Sequence, residues 1–126
     1  MTDNINEADI KTSKVTLSAI QLTSTTNVSV NLAAIARQLT KITQINGDTE
    51  ENTRHLVVLP ECCLYFGGKE CEQLLLAKDN EKKNDLLLAL SQLAKQFKVY
   101  LIGGTVPILT PQGDKFTNSS CISCYF

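Results

Sequence analysis

The stretch His55-Leu56-Val57-Val58-Leu59-Pro60-Glu61 constrains the fold of this chain more than any other segment. Its consecutive Leu and Val residues lack the polar alternation of a strand with one face in water, so the strand suits burial on both faces. Pro60 removes a backbone donor and ends the ladder, which leaves Glu61 at the carboxyl end of the strand. In open α/β sheets ligands bind at that edge. A carboxylate mounted there on a stiff strand and a stiff proline is a candidate general acid or base. The plainer alternative is a solvated loop glutamate, since most Glu side chains are exposed.

Composition narrows the classes of function. At 126 residues there is room for one domain, and 43% hydrophobic with 20% charged residues is ordinary globular composition able to bury a core. A net charge of -1, with Lys and Glu interspersed, supplies no field for nucleic acid or an anionic membrane. The amino end is polar and acidic where a secretory leader is basic and then apolar, and no apolar run reaches the length of a bilayer span. Five cysteines without the spacing of a disulfide framework fit a reducing compartment, so a cytoplasmic protein is expected. Residues 1–13 read as a flexible tail and residues 14–126 as the domain.

Along the chain, Lys14 to Leu22 reads as a first strand. Apolar residues then recur at Val28, Leu32, Ile35, Leu39 and Ile42, the spacing of an amphipathic helix that Asn27 or Thr26 caps and that stops near Asn46-Gly47. Asp48 to Arg54 reads as polar linker before the Glu61 strand, and Cys62 to Gly68 as an irregular stretch after it. A second helix is signalled by Leu86, Leu90, Leu93 and Phe97, with Asp79 or Asn80 near its start. Val99 to Gly104 is a third strand. Val106 to Leu109, a Pro111-Gln112-Gly113-Asp114 turn and a strand from Ser119 to Phe126 complete the chain. This order calls for an α/β layer with parallel strands and right-handed crossovers, and both helices can lie on the same side.

Taken in register, the KVTLSAIQL strand, the helix bearing Asn31, VVLPE, the FGGKE loop, the LIGGTVPI strand and KFTNSSCISCYF resemble the amino-terminal part of the nitrilase superfamily of carbon–nitrogen hydrolases. The resemblance covers Lys14 to Phe126, in the manner of the Nit and ω-amidase branch, whose members act on small amides. It implies the amino-terminal half of an αββα sandwich, here one mixed sheet with two helices. It also implies a Glu-Lys-Cys triad in which Glu61 is the general base toward a thiol and then the acid toward the leaving amine. Tyr65 and Phe66 are candidates to line the substrate pocket. No cofactor and no metal are expected. The family's lysine and cysteine follow the strand on which this sequence ends, so the chain is expected to be an inactive amino-terminal fragment on its own. Its expected partners are a small amide in the complete enzyme and either itself or a complementing carboxyl-terminal half. With helices for one side only, residues such as Val57, Leu59, Leu101 and Ile102 are expected to leave one sheet face bare. The competing reading is a truncated or degenerate, non-catalytic α/β chain that binds a partner.

Other reactive residues favour structural roles. Cys124 superficially resembles the nucleophile strand, yet it follows Phe116-Thr117-Asn118-Ser119, which matches the strand before the missing lysine, and it reads as a packed thiol. Cys121 and Cys124 lie three apart in an extended stretch and so face opposite ways, which disfavours a redox pair or half of a zinc site. Cys62 and Cys63 are adjacent and unsuited to bridging each other, while Cys71 is an isolated loop or helix-start thiol. Lys82 and Lys83 read as a solvated helix face, and Lys69 as a loop residue without fixed geometry. His55, at the wrong end of its strand to assist Glu61, reads as a polar loop residue.

Overall fold

The central strand β2 (Thr53–Val58) pairs in parallel with β1 (Lys14–Ala19) on one side and with β3 (Tyr100–Ile102) on the other. A short strand β6 (Ile122–Ser123) runs antiparallel to β3 and completes a mixed sheet of order β1-β2-β3-β6. The computed structural model describes residues 14–46 and 53–124. The expected tail, Gly47, linker residues 48–52 and the terminal Tyr125 and Phe126 lie outside the described residues. Among the described residues no helix is long and apolar enough to cross a membrane.

The first crossover is the helix α1 (Val28–Asn46). Asn27 caps it, its Oδ1 accepting the Val30 N–H at 3.1 Å. The second crossover departs from expectation, because two helices replace one: α2 (Glu70–Lys83) and α3 (Asp85–Phe97). They meet at Asn84, whose φ of 54° is left-handed and turns the chain. Asn80 makes the junction affordable in hydrogen bonds by accepting the Leu86 N–H on its Oδ1 at 3.0 Å. The α2 segment carries no clean apolar stripe since it packs on the ribbon formed by β4 (Val106–Leu109) and β5 (Phe116–Ser119) rather than on the main sheet.

The end of the chain also departs from the expected single strand over 119–126. The ribbon pairs Leu109 with Phe116 and Val106 with Ser119, so β5 starts three residues earlier than Ser119 and ends there. The chain then leaves the ribbon, and the Cys121 carbonyl accepts the Gly103 N–H at 2.8 Å before β6 joins β3. Thr53 and Arg54, read as linker, belong to β2 because pairing with Lys14 and Val15 recruits polar residues into the ladder.

Laterally paired residues share a sheet face, which makes the sidedness readable from the register. The row Ser18, Val57, Leu101 and Ser123 faces α1 and α3; Val57 and Leu101 are fully buried there with Ile35, Leu39, Leu90 and Ala94. The opposite rows hold Leu17, Leu56 and Tyr100, then Ala19, Val58, Ile102 and Ile122. No helix among the described residues covers that side: Val15, Leu17 and Ile122 are 68–69% exposed. Val57, Leu59 and Leu101 therefore belong to the covered face, and Ile102 to the bare one.

His55 is not a loop residue. It sits inside β2, 3% exposed, on the helix-covered face, with its Nε2 at 3.0 Å from the Ser18 hydroxyl. Burial lowers its pKa from the ordinary 6.5. The unfolded chain therefore takes up the extra proton first as pH falls, so the contribution of neutral His55 is complete above about pH 6.5 and is lost below it. Thermal melts between about pH 8 and pH 5 are expected to show wild type losing stability relative to His55→Gln on the acid side. Parallel curves would remove His55 from the pH dependence.

Candidate functional site

Three parallel strands send their carboxyl ends to one edge of the sheet, and the candidate site lies there. The ladder runs slightly past the strands: the Val58 carbonyl accepts the Ile20 N–H and the Leu59 N–H donates to the Ile102 carbonyl, each at 2.9 Å. Pro60 then interrupts it and Glu61 opens a turn over 61–64. Glu61 is exposed at the mouth of a cleft of about 280 Å³, lined by Leu22, Thr23, Ser24, Glu61 and Phe66. The first three come from the segment after β1.

Both loops of the cleft are stitched together. The Ser24 hydroxyl donates to the Cys63 carbonyl at 3.1 Å and the Phe66 N–H to the Thr25 carbonyl at 3.0 Å. Asn31, on the first turn of α1 and 2% exposed, joins the two. Its Nδ2 donates at 2.8 Å to the Thr25 and Leu64 carbonyls, while its Oδ1 accepts the Thr25 N–H at 2.8 Å and the Thr25 hydroxyl at 3.1 Å. A primary amide is the one uncharged side chain that supplies two donors and a carbonyl acceptor at once. Sequence reading noted Asn31 without finding this role; the Thr25-x-Asn27 cap six to four residues upstream was the available signal.

The other residues singled out from sequence fall at different places. Phe66 shares the cleft with Glu61. The Tyr65 hydroxyl instead donates to Glu72 Oε2 at 3.0 Å, and the same oxygen accepts the Lys69 N–H at 3.1 Å. Glu72 thereby closes the first turn of α2, with Tyr65 bracing it. Lys69 caps that helix through its backbone, and Lys82 and Lys83 lie in its last turn. Among the described residues neither a lysine nor a cysteine lines the Glu61 cleft. Cys63 is fully buried, its Sγ directed at the Gly103 carbonyl, and burial pushes its thiol up to about 11, which makes it a packing residue. None of the five cysteines is in a disulfide, and Cys62, Cys121 and Cys124 are half-buried while Cys71 is exposed. Among the described residues no cluster of His, Cys, Asp and Glu is arranged to hold a metal ion.

As it stands the arrangement presents one carboxylate beside an apolar ring on an open cleft, able to accept or return a proton. Removing the amide that binds its two loops strands the buried Leu64 carbonyl and leaves the part-buried Thr25 carbonyl and N–H without their partner. Asn31→Ala is expected to cost about 2–4 kcal/mol in urea unfolding, against less than about 0.5 kcal/mol for the exposed Thr117→Ala. A loss for Asn31→Ala as small as that of the control would show that water replaces the clamp.

Comparison with known proteins agrees with this geometry. The carbon-nitrogen hydrolase family model matches residues 16–123. The chain is similar to the ω-amidase Nit3 of Saccharomyces cerevisiae, at 29% identity over 120 residues, which is 94% of this chain and 40% of that protein. The solved structure of Saccharomyces cerevisiae Nit3, a member of branch 10 of the nitrilase superfamily, superposes with a TM-score of 0.57 at 29% identity, covering 84% of this chain and 38% of that one. The C. elegans NitFhit structure shares the fold, with a TM-score of 0.67 at 19% identity over 88% of this chain and 24% of that one. The chain thus spans about two fifths of the yeast relative it matches. Its parallel strands, its Glu61 turn and these similarities place it, as the amino-terminal part of the domain, in the carbon–nitrogen hydrolase family of the nitrilase superfamily.

Proposed function

We propose that Glu61 is the proton-transferring carboxylate of an amidase-type site of Glu-Lys-Cys kind, acting on small non-peptide amides. The observation that carries this reading is the position of Glu61, at the carboxyl end of a central strand and on a cleft, in a chain of the carbon–nitrogen hydrolase family. In the reaction, the carboxylate takes the thiol proton and the thiolate attacks the amide carbon. Lysine and backbone amides hold the resulting oxyanion. Glu61 then returns the proton to the leaving nitrogen, ammonia departs, and water cleaves the thioester to release the acid. Phe66 offers an apolar wall for the substrate's carbon chain, while the Tyr65 hydroxyl is engaged by Glu72. No cofactor enters this chemistry. A reduced thiol is required, which agrees with a cytoplasmic setting.

The lysine and the nucleophile come, in this reading, from a complementing carboxyl-terminal half rather than from Lys69, Lys82, Lys83 or Cys124. The same half would cover the bare sheet face. A second reading, a non-catalytic chain that binds a partner, is favoured by that face alone, where Val15, Leu17 and Ile122 are exposed and no helix among the described residues covers them.

Ammonia release from α-ketoglutaramate and deaminated glutathione separates the two. The chain alone is expected to release none; co-expressed with a downstream nitrilase-type segment carrying lysine and cysteine, it is expected to turn over, and Glu61→Gln to abolish that turnover. Turnover by the chain alone that both Glu61→Gln and Cys124→Ser abolish would make Cys124 the nucleophile. Because Glu61 is exposed, Glu61→Ala is expected to change unfolding free energy by less than about 0.5 kcal/mol. A larger loss would give Glu61 a structural role. The chain alone is also expected to bind a hydrophobic dye and to self-associate in sedimentation velocity, both reversed by the complementing segment. A dye-silent monomer at high concentration would count against a covered face and favour an independent small domain.

A further inference from the structure

Glu61 is exposed, so packing around its side chain does little to aim it. Its direction is set by the two peptide groups on either side, and one segment of chain holds both. After Glu61, Cys62 takes a φ of 53°, a left-handed conformation that residues with a Cβ adopt rarely and only when neighbours enforce it. The Cys62 N–H donates to Thr105 Oγ1 at 2.8 Å, and the Thr105 hydroxyl is directed back at Cys62 Sγ, 3.8 Å away. Before Glu61, the Pro60 carbonyl lies so close to Gly104, at φ 43°, that a Cβ there would collide with its oxygen. The residues leading into Thr105 are anchored in turn, since the Gly103 N–H donates to the Cys121 carbonyl at 2.8 Å and the Gly104 N–H to the Ile102 carbonyl at 2.9 Å.

We infer that Thr105 is a positioning residue for Glu61: its hydroxyl holds the Cys62 peptide in the left-handed turn while Gly104 lets the Pro60 carbonyl seat against the end of β3. The inference rests on the reading of Glu61 as the working carboxylate. A hydroxyl suits the task because it accepts from an N–H and still has a proton to direct at the sulfur. Valine matches the shape of threonine and cannot do either.

The test uses isotopically labelled full chain and needs no turnover. In wild type the Cys62 amide is expected to exchange with solvent about tenfold more slowly than the Glu61 amide next to it. Equal rates would overturn the inference without any variant. Thr105→Val is expected to speed Cys62 exchange about tenfold and to move the Glu61 carboxyl ¹³C resonance, and Thr105→Ser to restore both. A Cys62 amide unaffected by Thr105→Val, a Glu61 resonance that does not move, or a Thr105→Ser chain that behaves like Thr105→Val would each overturn it. The effect of Glu61→Gln on ammonia release judges the functional reading separately, so the two can fail independently.

Discussion

The parallel pairing of β2 with both of its neighbours is the constraint from which the remaining architecture follows. Parallel strands cannot be joined by a tight turn, so each pairing demands a crossover, and α1 and the α2–α3 pair supply them. The strands are laid down in one direction, β1 then β2 then β3. Right-handed crossovers between strands added in a constant direction fall on one face. That face buries Val57 and Leu101 completely under α1 and α3, and the other is left with Val15, Leu17 and Ile122 in solvent. The bare face is thus a consequence of connectivity rather than of a missing apolar stripe.

The same parallelism gathers the site. Chain segments leaving β1, β2 and β3 emerge at a single edge, and each contributes something different there. The first contributes Leu22, Thr23 and Ser24, the second Glu61 and Phe66, and the third Gly104 and Thr105. Asn31 fastens the first to the second, and Thr105 fastens the third to the second. Glu61 belongs to the segment that both others hold, which is where a group that must be aimed without being buried is best carried.

Polar groups inside the fold sit at junctions and are paired. Asn31 lies between loops, His55 between neighbouring strands, and Asn80 between helices; among the described residues no buried side-chain nitrogen or oxygen lacks a partner. Each bond to such a group avoids a desolvation penalty larger than the net gain of the bond itself. These residues therefore specify how elements meet, while the aliphatic core supplies the driving force for their meeting.

Local signals in the sequence determined the apolar Leu56–Leu59 run, its termination at Pro60, the α1 stripe with its Asn27 cap, and the family to which the ordered motifs belong. Each depends on residues a few positions apart, where backbone donors, φ limits and helical spacing act directly. The position of Glu61 at a strand's carboxyl end followed from the same run. Tertiary structure alone decided that His55 is buried against Ser18, that Thr53 and Arg54 are strand, that the chain splits at Asn84, and that β5 and β6 join different sheets. The burial of His55 and the strand extension at Thr53 and Arg54 turn on pairings between residues dozens of positions apart, the break at Asn84 goes with the packing of α2 on β4, and the separation of β5 from β6 with the antiparallel partners they find in β4 and β3. A polar residue is drawn into a strand or a core only when its distant partner is present to satisfy it, and no local pattern records that partner.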